Sequence, residues 1–417
     1  MTVRLPFGKR QRGFTLVELM VAMSGGLFLS IAVFALSRDA TRFYQSEGRI
    51  ANATLAAVSG FERLSSDVAR AGHLSTANIQ ADPLVCNRPD ASFPAELRAL
   101  RALVVGTSTV TGTEVASAGI APHSLVVTGA LNTPEVFTTM AVAEGAGGSW
   151  RVDLDLGTPT ADRLGLSLAP TAVAANQALL NGIFTIGTNQ RGKIVRLRRN
   201  GLDQYAVVSS VTAVVGGAFL TLANSPALLR LVKGGPQCGI DDTGKGMSLT
   251  VIDVVRYDIR KMIGDAAYAS LFTASGASVG GGPSTVAYET GRAELVRVEV
   301  DASGAEEAST REIIGEYAVD LQVSGWRADS GVNPTLVPVA AETITQSYAF
   351  TQLLRGVRVR VGVRSREADR EANIAGTGGG ANGLYRIGLG ASGTAPFARV
   401  RTLQSDIPLR NLEGNRW

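Results

Sequence analysis

Residues 14–36 read FTLVELMVAMSGGLFLSIAVFAL. These 23 residues contain one charged side chain, Glu18, and no proline. An α-helix rises about 1.5 Å per residue, so the segment would be about 35 Å long and could cross a hydrocarbon core ~30 Å thick. Residues 1–13 carry basic side chains and no acid. The asymmetry predicts that they stay in the cytoplasm while the rest of the chain lies outside it.

Composition limits the possible function classes. The chain has 417 residues, 45% of them hydrophobic and 18% charged, which predicts two or three folded regions and excludes a disordered chain. Lysine and arginine number 40 against 36 acidic residues. Outside residues 1–13 the charges balance, so general attraction to nucleic acid loses its main support. The basic residues of that N-terminal segment are Arg4, Lys9, Arg10 and Arg12.

The usual residues of enzyme active sites are scarce. The chain has two histidines, His73 and His123, and two cysteines. No CxxC or HExxH spacing occurs, so the sequence offers no such motif for a metal site. We therefore expect that the protein is not an enzyme.

Three interpretations of the apolar segment compete. A cleaved secretory signal has a basic start and an apolar run, and Val33-Phe34-Ala35 is a passable cleavage site. A plain membrane anchor requires only the run. Neither explains Glu18, because an unpaired acid inside a membrane costs at least ~2.5 kcal/mol.

The third interpretation rests on residues 13–22, GFTLVELMVA, which closely resemble the signature of type IV prepilins. The resemblance implies that a prepilin peptidase cuts between Gly13 and Phe14 on the cytoplasmic side and then methylates the Phe14 amine. Glycine suits the cut because it has no side chain to clash with a protease cleft. The resemblance also gives Glu18 a partner, the Phe14 amine of a neighbouring subunit. Attraction between these charges would set the register of a docking subunit.

Gly25 and Gly26 lie in the middle of the apolar segment. They indicate either close packing between helices or a weak point where the helix unwinds in a filament, since glycine is the poorest helix former after proline. Both interpretations remain open at this stage.

An amphipathic pattern follows the apolar segment. Apolar residues recur at three- and four-residue steps from Ala40 to Val68, which predicts a continuation of the same helix. We expect one helix from about Phe14 to Ala71, with Gly72 as its C-terminal cap. The predicted N-terminal regions are a leader peptide at 1–13, a transmembrane half of the helix at 14–36 and an amphipathic half at 37–72.

From residue 73 onward the pattern changes to strands and turns. Residues 234–236, Gly-Gly-Pro, separate two groups of predicted strands, which defines a β-rich region at 73–245 and an antiparallel region at 246–417. Residues 262–283 and 368–395 are predicted to be long surface loops. The first group of strands is predicted at 102–106, 123–131, 150–156, 183–187, 193–198, 204–212 and 217–223. The second group is predicted at 249–260, 294–301, 312–324, 354–365 and 397–409.

Alternation is clear in the second group of strands. Valines alternate with arginines in 357–361, and similar alternation occurs in 296–301 and 316–323, which predicts an antiparallel sheet with one buried and one polar face. The predicted fold class is α+β. A long N-terminal helix is followed by a β-rich, mainly antiparallel globular head of pilin-like type.

A looser resemblance, to PilW-type minor pilins, comes from the helix exit and the C-terminal region. It rests on Leu64-x-x-Asp67-x-x-Arg70-Ala71-Gly72 and on residues 314–323, 354–359 and 402–412. Residues 73–245 match little in that family.

Cys86 and Cys238 would lie in an oxidising periplasm under the predicted topology. We expect them to form a disulfide rather than two buried thiols. The bond would close a loop of about 150 residues, worth roughly 5 kcal/mol in the chain-entropy model. PilW-type proteins often have a cysteine soon after the helix-exit glycine, but here Cys86 follows Gly72 by fourteen residues, so no particular pairing carries over from the family.

Two basic runs allow two interpretations. They could bind DNA, or they could pair with acids on strands such as 294–301 and 316–320. No aromatic residue is interleaved with the arginines, so bases would have no stacking platform. We favour cross-strand pairing and do not expect a nucleic-acid partner. The runs consist of Lys193, Arg196, Arg198, Arg199, Arg355, Arg358, Arg360, Arg364 and Arg366.

The remaining motifs are weak. Residues 378–383, GGGANG, match a dinucleotide fingerprint but lack its strand-then-helix context. Residues 241–246, DDTGKG, contain adjacent acids without the alternation of a calcium-binding loop. Asp153 and Asp155 are interpreted as solvated residues on one strand face. We therefore expect no cofactor and no metal.

Three functional hypotheses follow. The first is a PilW-like minor pilin, because a head of about 340 residues would be bulky to repeat along a filament; this favours priming of assembly or a tip position. The second is a J-type pseudopilin of type II secretion, a class that is usually smaller. The third is an enzyme or a ligand- or DNA-binding protein tethered by a pilin helix.

The first hypothesis implies specific partners and a location. The partners would be other minor pilins, the major pilin, the prepilin peptidase, the inner-membrane assembly platform and a PilY-type tip adhesin. The protein would span the inner membrane once with a periplasmic head before assembly. Afterwards it would lie in a surface pilus, at the tip.

Overall fold

The structure is a computed structural model that describes residues 15–231, 238–241, 243–268, 290–329, 335–366, 386–390, 392 and 394–414. The chain divides into two compact units, Met1–Asn52 and Ala53–Trp417. The second unit is called the head below.

A single long helix, α1, runs from Leu16 to Ala69. The expectation of one continuous helix is therefore confirmed, and the observed end lies two residues before the predicted one. Gly72 has φ +73°, and its N–H donates to the Thr128 carbonyl at 2.8 Å. Glycine adopts this left-handed conformation at no steric cost, which is why the chain turns into the head here.

Four short helices and seventeen strands make up the rest of the described part of the head. The helices are α2 (Ala95–Arg98), α3 (Glu114–Ser117), α4 (Pro159–Arg163) and α5 (Val173–Phe184). The first nine strands are β1 (Leu103–Thr107), β2 (His123–Gly129), β3 (Val136–Glu144), β4 (Trp150–Leu154), β5 (Thr185–Ile186), β6 (Arg191–Gly192), β7 (Ile194–Arg199), β8 (Leu202–Val214) and β9 (Gly217–Leu222). The others are β10 (Ser248–Arg260), β11 (Glu294–Glu299), β12 (Glu312–Gly315), β13 (Ala318–Ala328), β14 (Leu336–Val339), β15 (Leu354–Arg364), β16 (Arg386–Leu389) and β17 (Thr394–Pro408).

Six antiparallel strands close into a barrel. Their order is β10–β3–β4–β9–β8–β7, and β7 pairs with β10 again. Ser248 on β10 is paired with Thr138 on one side and with Arg198 on the other. Helix α5 packs against β8, and the rings of Phe184 and Phe137 lie 5.1 Å apart between centroids. An apolar core fills the barrel.

A sandwich of two sheets forms the other part of the head. One sheet has the order β1–β2–β10–β11–β12, and the other has the order β14–β13–β15–β17–β16. Both contribute to one apolar core, together with the last turns of α1. Leu64 and Val68 of that helix are completely buried in this core.

Strand β10 belongs to both parts of the head. Residues 248–252 pair with barrel strands, whereas residues 253–260 pair with β2 and β11 of the sandwich. Strand β10, which follows residue 245, therefore pairs with β2, β3 and β7 from the region before that residue and with β11 from the region after it. The sequence division at 245/246 does not coincide with a division between sheets.

Most of the predicted strands are present with boundaries shifted by a few residues, but some elements differ. The strand predicted at 183–187 was wrong in part, because α5 continues to Phe184 and only Thr185–Ile186 forms a strand. No strand was predicted at β3, β6 or β14, and β16 lies within residues 368–395, which were wrongly predicted to be a surface loop throughout. The strand predicted at 312–324 is two strands, β12 and β13, separated at Tyr317, which has φ +55°.

The prediction of one buried and one polar sheet face holds for β15 and fails for β11. Val357, Val359 and Val361 are buried, while Arg358 is exposed. On β11, Arg297 is only 4% exposed although it alternates with buried valines. Strand β11 is covered on both faces, because the end of α1 lies over its polar side.

Candidate functional site

The first half of α1 is an uncovered apolar surface. Residues Leu16–Thr41 are long and apolar enough to cross a membrane, and none of this span is buried within the described chain. A core helix of a soluble protein would be covered by its own domain. The helix therefore presents a surface suited to a membrane or to other helices.

Glu18 is held at the start of this helix by Thr15. Its Oε2 accepts hydrogen bonds from the Thr15 N–H and from the Thr15 hydroxyl, each at 3.0 Å, and the Glu18 N–H donates to Thr15 Oγ1 at 3.2 Å. This reciprocal arrangement is a capping box, which satisfies helix N–H groups that have no partner within the helix. The spacing Thr-x-x-Glu signals it in the sequence, and the sequence reading missed it.

The capping box gives the Glu18 carboxylate a local partner in the isolated subunit. The predicted processing residues, Gly13 and Phe14, lie outside the described residues. The contact between Glu18 and a neighbouring Phe14 amine consequently stays a prediction. Gly25 and Gly26 lie within unbroken helix, and no atom of the described chain would come within 4 Å of a Cβ at either position.

The last turns of α1 pack tightly against the head. Gly60 is in such close contact that a Cβ at this position would lie 1.8 Å from the Ile314 carbonyl oxygen. That separation is far below any allowed contact, so only glycine fits here. The close approach fixes where the helix crosses the end of β12.

Asp67 is a charged residue on the buried side of α1, and it is 0% exposed. Its Oδ2 accepts hydrogen bonds from the Tyr257 hydroxyl at 2.6 Å and from Arg297 Nε at 3.0 Å. We call these three residues the Asp67 cluster. Burial and then the Asp67 charge raise the pKa of the Tyr257 hydroxyl, so it stays protonated and donates. Burial opposes the charge of Arg297, but Tyr257 and Asp67 hold its pKa above the ordinary value.

A second group, the Lys193 cluster, lies where β10 passes from barrel to sandwich. Lys193 Nζ donates to Asp253 Oδ1 at 2.6 Å and lies 3.5 Å from Glu299 Oε2. Asp253 Oδ2 accepts the backbone N–H groups of Leu131 and Asn132 at 3.1 and 2.8 Å. The ammonium group thus holds together three segments that are distant in sequence.

One asparagine connects the two clusters. Asn132 Oδ1 accepts a hydrogen bond from Arg297 Nη2 at 3.0 Å, and Asn132 Nδ2 donates to Glu299 Oε1 at 2.8 Å. A continuous series of polar contacts therefore runs from Asp67 on α1 to Lys193 beside the barrel. The sequence did not reveal this series, because its members are separated by up to 230 positions.

A further buried group surrounds Glu294. This carboxyl is 0% exposed, forms an ion pair with Arg292, and accepts the Tyr317 N–H at 2.9 Å. Burial raises the pKa of Glu294 to about 7, although Arg292 acts in the opposite direction. Its protonation therefore differs between the folded and unfolded states in the range between the two pKa values.

The shift of Glu294 predicts a pH dependence of stability. The folded state binds the Glu294 proton more tightly than the unfolded state does. The contribution of Glu294 to the free energy of unfolding is therefore complete below about pH 4.5 and is lost as the pH rises through about 7. Glutamine cannot ionise, so we expect the stability of the Glu294→Gln variant relative to the unmodified protein to increase as the pH rises from about 4.5 to about 7. Chemical denaturation at several pH values measures the difference. A Glu62→Gln variant, changed at an exposed glutamate, should show no such trend, and an equal trend in both variants would contradict the assignment.

Three arginines of the C-terminal basic run pair with acids, whereas Arg355 donates to backbone carbonyls. Arg358 makes a two-bond contact with Asp406 at 2.6 and 2.8 Å, and Arg360 Nη2 lies 2.9 Å from Asp320 Oδ2. The completely buried Arg364 forms an ion pair with Glu114. The cross-strand pairing predicted from sequence is present. The ring of Trp326, on the neighbouring strand, lies 5.2 Å from the Arg358 guanidinium, a contact that the linear sequence does not indicate.

The other basic run is paired in the same way. Arg196 and Arg198 lie 3.8 and 3.7 Å from Asp203, and Arg199 pairs with Asp241. Lys193 pairs with Asp253 and with Glu299, which lies in one of the acidic strands named in the prediction. These basic side chains serve cross-strand contacts in the head.

Cys86 and Cys238 lie at disulfide distance. Their Cα atoms are 5.6 Å apart, within the range of ~4.4–6.8 Å that disulfides span. The Cys86 N–H also donates to the Asp203 carbonyl at 2.8 Å. The pair thereby fastens the segment after α1 to the connection between β9 and β10, as the sequence reading expected.

The weaker motifs do not assemble into a site among the residues that the structure describes. Asp241 accepts the Gly244 N–H at 2.7 Å, while Asp242 and residues 378–383 lie outside the described residues. His123 Nδ1 accepts the Val323 N–H at 3.0 Å, and burial lowers the pKa of His123. Among the described residues, no group of three or more histidine, cysteine, aspartate or glutamate side chains is arranged to hold a metal ion.

Comparison with known proteins adds one match. A family model described as the prokaryotic N-terminal methylation motif matches residues 8–24. This match supports a type IV pilin-like or pseudopilin protein, with a membrane context and assembly by pilus-type machinery. No curated protein and no solved structure matches the chain.

Proposed function

We propose that this protein is a minor pilin of a type IV pilus, assembled through α1 after cleavage and methylation by a prepilin peptidase. The observation that carries the proposal is a methylation motif at residues 8–24 that leads directly into an uncovered apolar helix. Cleavage between Gly13 and Phe14 would leave this helix on the mature protein. The mature chain could then leave the membrane only by exchanging lipid for the helices of other subunits.

The form of the head supports a rare position rather than a repeated one. The head comprises Ala53–Trp417 and contains a barrel as well as a sandwich. A subunit that repeats along a filament must pack such a head against its neighbours at every step. A subunit that begins the filament, or lies at its tip, needs to dock on one side only.

Docking requires no catalytic turnover, and we propose that the protein is not an enzyme. The buried ionisable groups of the Asp67 and Lys193 clusters are engaged with one another through short contacts. Such groups fix the orientation of α1 in the head. The proposed partners are other minor pilins, the major pilin, the inner-membrane assembly platform and a PilY-type tip adhesin.

The proposed location follows from the same helix. The protein would span the inner membrane once with a periplasmic head, and would later lie at the tip of a surface pilus. An oxidising compartment agrees with the paired Cys86 and Cys238.

Counting surface pili on a strain that lacks this gene tests the proposed function. We expect electron microscopy to show a collapse in pilus number that the wild-type gene restores. Unchanged pili in the deletion strain would contradict the proposal and would favour a pseudopilin of type II secretion. Expression of a neighbouring pilus gene serves as the control for polar effects of the deletion.

A further inference from the structure

A cavity lies between the barrel and the sandwich, beside the Lys193 cluster. Its volume is about 430 Å³, within the range of ~300–1,000 Å³ typical of small-molecule sites. Its lining comes from Asn132, Lys193 and Glu299 and from the end of α5 and the β5–β6 hairpin. Sites of this kind are preferentially located where two parts of a protein meet.

Every residue that lines the cavity, apart from two glycines, has a polar or charged side chain. The α5 end and the hairpin contribute Asn181, Thr185, Thr188 and Gln190. Amides and hydroxyls both donate and accept hydrogen bonds. No aliphatic or aromatic side chain lines the cavity. Asn181 Oδ1 already accepts a hydrogen bond from Gln177, and the Thr185 hydroxyl donates to the Asn181 carbonyl. An apolar ligand would therefore leave the Thr188 hydroxyl and the Gln190 amide unpaired, at a cost to binding.

The charged groups beside the cavity are already paired with one another, which disfavours an ionic ligand. Lys193 is 4% exposed, and its ammonium is shared by Asp253 and Glu299. An anion would find no unmatched positive charge here. A cation would have to compete with this ammonium and with the hydrogen bonds that the two carboxylates already accept from Leu131 and Asn132.

The hairpin that carries Thr188 and Gln190 is held rigidly against the sandwich. The Thr188 N–H donates to Ser309 Oγ at 3.0 Å, and Asn189 Nδ2 donates to the Glu307 carboxylate at 3.0 Å. At Gly187 a Cβ would lie 2.2 Å from Ser309 Oγ, so the approach is too close for any other residue. A wall that is fixed before binding loses less entropy when a ligand arrives.

We propose that this cavity binds a small uncharged ligand rich in hydroxyl groups, a neutral sugar. Hydroxyls match a lining that donates and accepts hydrogen bonds, and a neutral ligand suits walls whose charged groups are already paired. The sugar could be free or could be the terminal unit of a glycan, since both present the same hydroxyl groups. The inference goes beyond the proposed pilus role, and its test uses purified protein, so either can fail without the other.

Titration of the purified full-length protein tests the proposal. The protein is kept in a detergent without a sugar headgroup, and the probes are the methyl glycosides of glucose, galactose, mannose and N-acetylglucosamine. We expect at least one neutral probe to give saturable binding by calorimetry. Sialic acid and glucosamine serve as anionic and cationic probes. Saturable binding by a charged probe alone, or by none of the probes, would overturn the proposal.

Two variants locate the binding. Thr188→Val removes one exposed hydroxyl from the cavity with little change in volume, and we expect it to weaken binding about tenfold, as for one lost hydrogen bond. Thr109→Val changes an exposed threonine outside the cavity and should leave the affinity unchanged. Equal affinities for both variants and the unmodified protein would overturn the assignment to this cavity. Binding to immobilised glycans that end in the same sugar would identify a glycan as the source, and binding to the free glycoside alone would identify a free sugar.

Discussion

The Glu18→Gln variant is expected to be cleaved and methylated normally but to enter filaments roughly tenfold less, or worse. In the proposed assembly, the carboxylate neutralises the Phe14 amine of a neighbouring subunit inside the membrane. An unpaired charge at that depth costs about 2.5 kcal/mol or more, and ~1.4 kcal/mol already corresponds to tenfold. The amount of this protein in sheared filaments, relative to the membrane pool, measures the effect.

The capping box makes glutamine the informative substitution. The glutamine side chain retains an oxygen that can accept the two hydrogen bonds from Thr15, so the start of the helix is preserved while the charge is lost. A Glu18→Ala variant loses both features. If Thr15→Ala assembles as poorly as Glu18→Gln, or if Glu18→Gln assembles normally, capping rather than charge would be the function of this residue.

The Asp67→Asn variant is expected to lose roughly 3–5 kcal/mol of folding stability, the usual cost of leaving a buried charge without its partner. Arg297 is 4% exposed and would keep its charge. Its hydrogen bond from Nε to Asp67 Oδ2, at 3.0 Å, would be replaced by a contact with the neutral amide of asparagine. Chemical denaturation of the full-length protein measures the loss.

A surface pair provides the matched control. Asp406 pairs with Arg358, and both side chains are about half exposed, so Asp406→Asn should cost no more than ~1 kcal/mol. Similar losses in the two variants would show that the Asp67 cluster is not a special anchor. A double variant that also replaces Arg297 by methionine removes the unpaired charge, and we expect it to regain part of the loss.

Patterns of apolar and polar residues along the sequence predicted the long helix and most of the strands. The length of α1 followed from the uninterrupted apolar and amphipathic pattern and from Gly72. Strands such as β13 and β15 followed from the alternation of apolar and polar residues in 316–323 and 357–361. The helix α5 was not predicted, because its sequence, VAANQALLNGIF, has only a weak apolar stripe. Strand β3 was not predicted, because its polar threonines interrupt the alternation of apolar and polar residues.

Long-range pairing could not be predicted from local patterns. The barrel closes because the two edges of β10 meet β3, which lies about a hundred residues earlier in the chain, and β7, which lies about fifty residues earlier. Asp67 is one of the charged residues that lie between the apolar positions of the helix pattern. Its spacing from Gly60 and Leu64 places it on the buried side, but only the positions of Tyr257 and Arg297 make a buried carboxylate acceptable there.

Mass spectrometry of the N-terminus of the protein purified from its native membrane tests the central claim most directly. The account predicts a chain that begins with N-methylated Phe14 and retains the whole of α1. A chain that still carries residues 1–13 would indicate a plain anchor, and a chain that begins after Ala35 would indicate a secretory signal. Either of these two results would contradict the account.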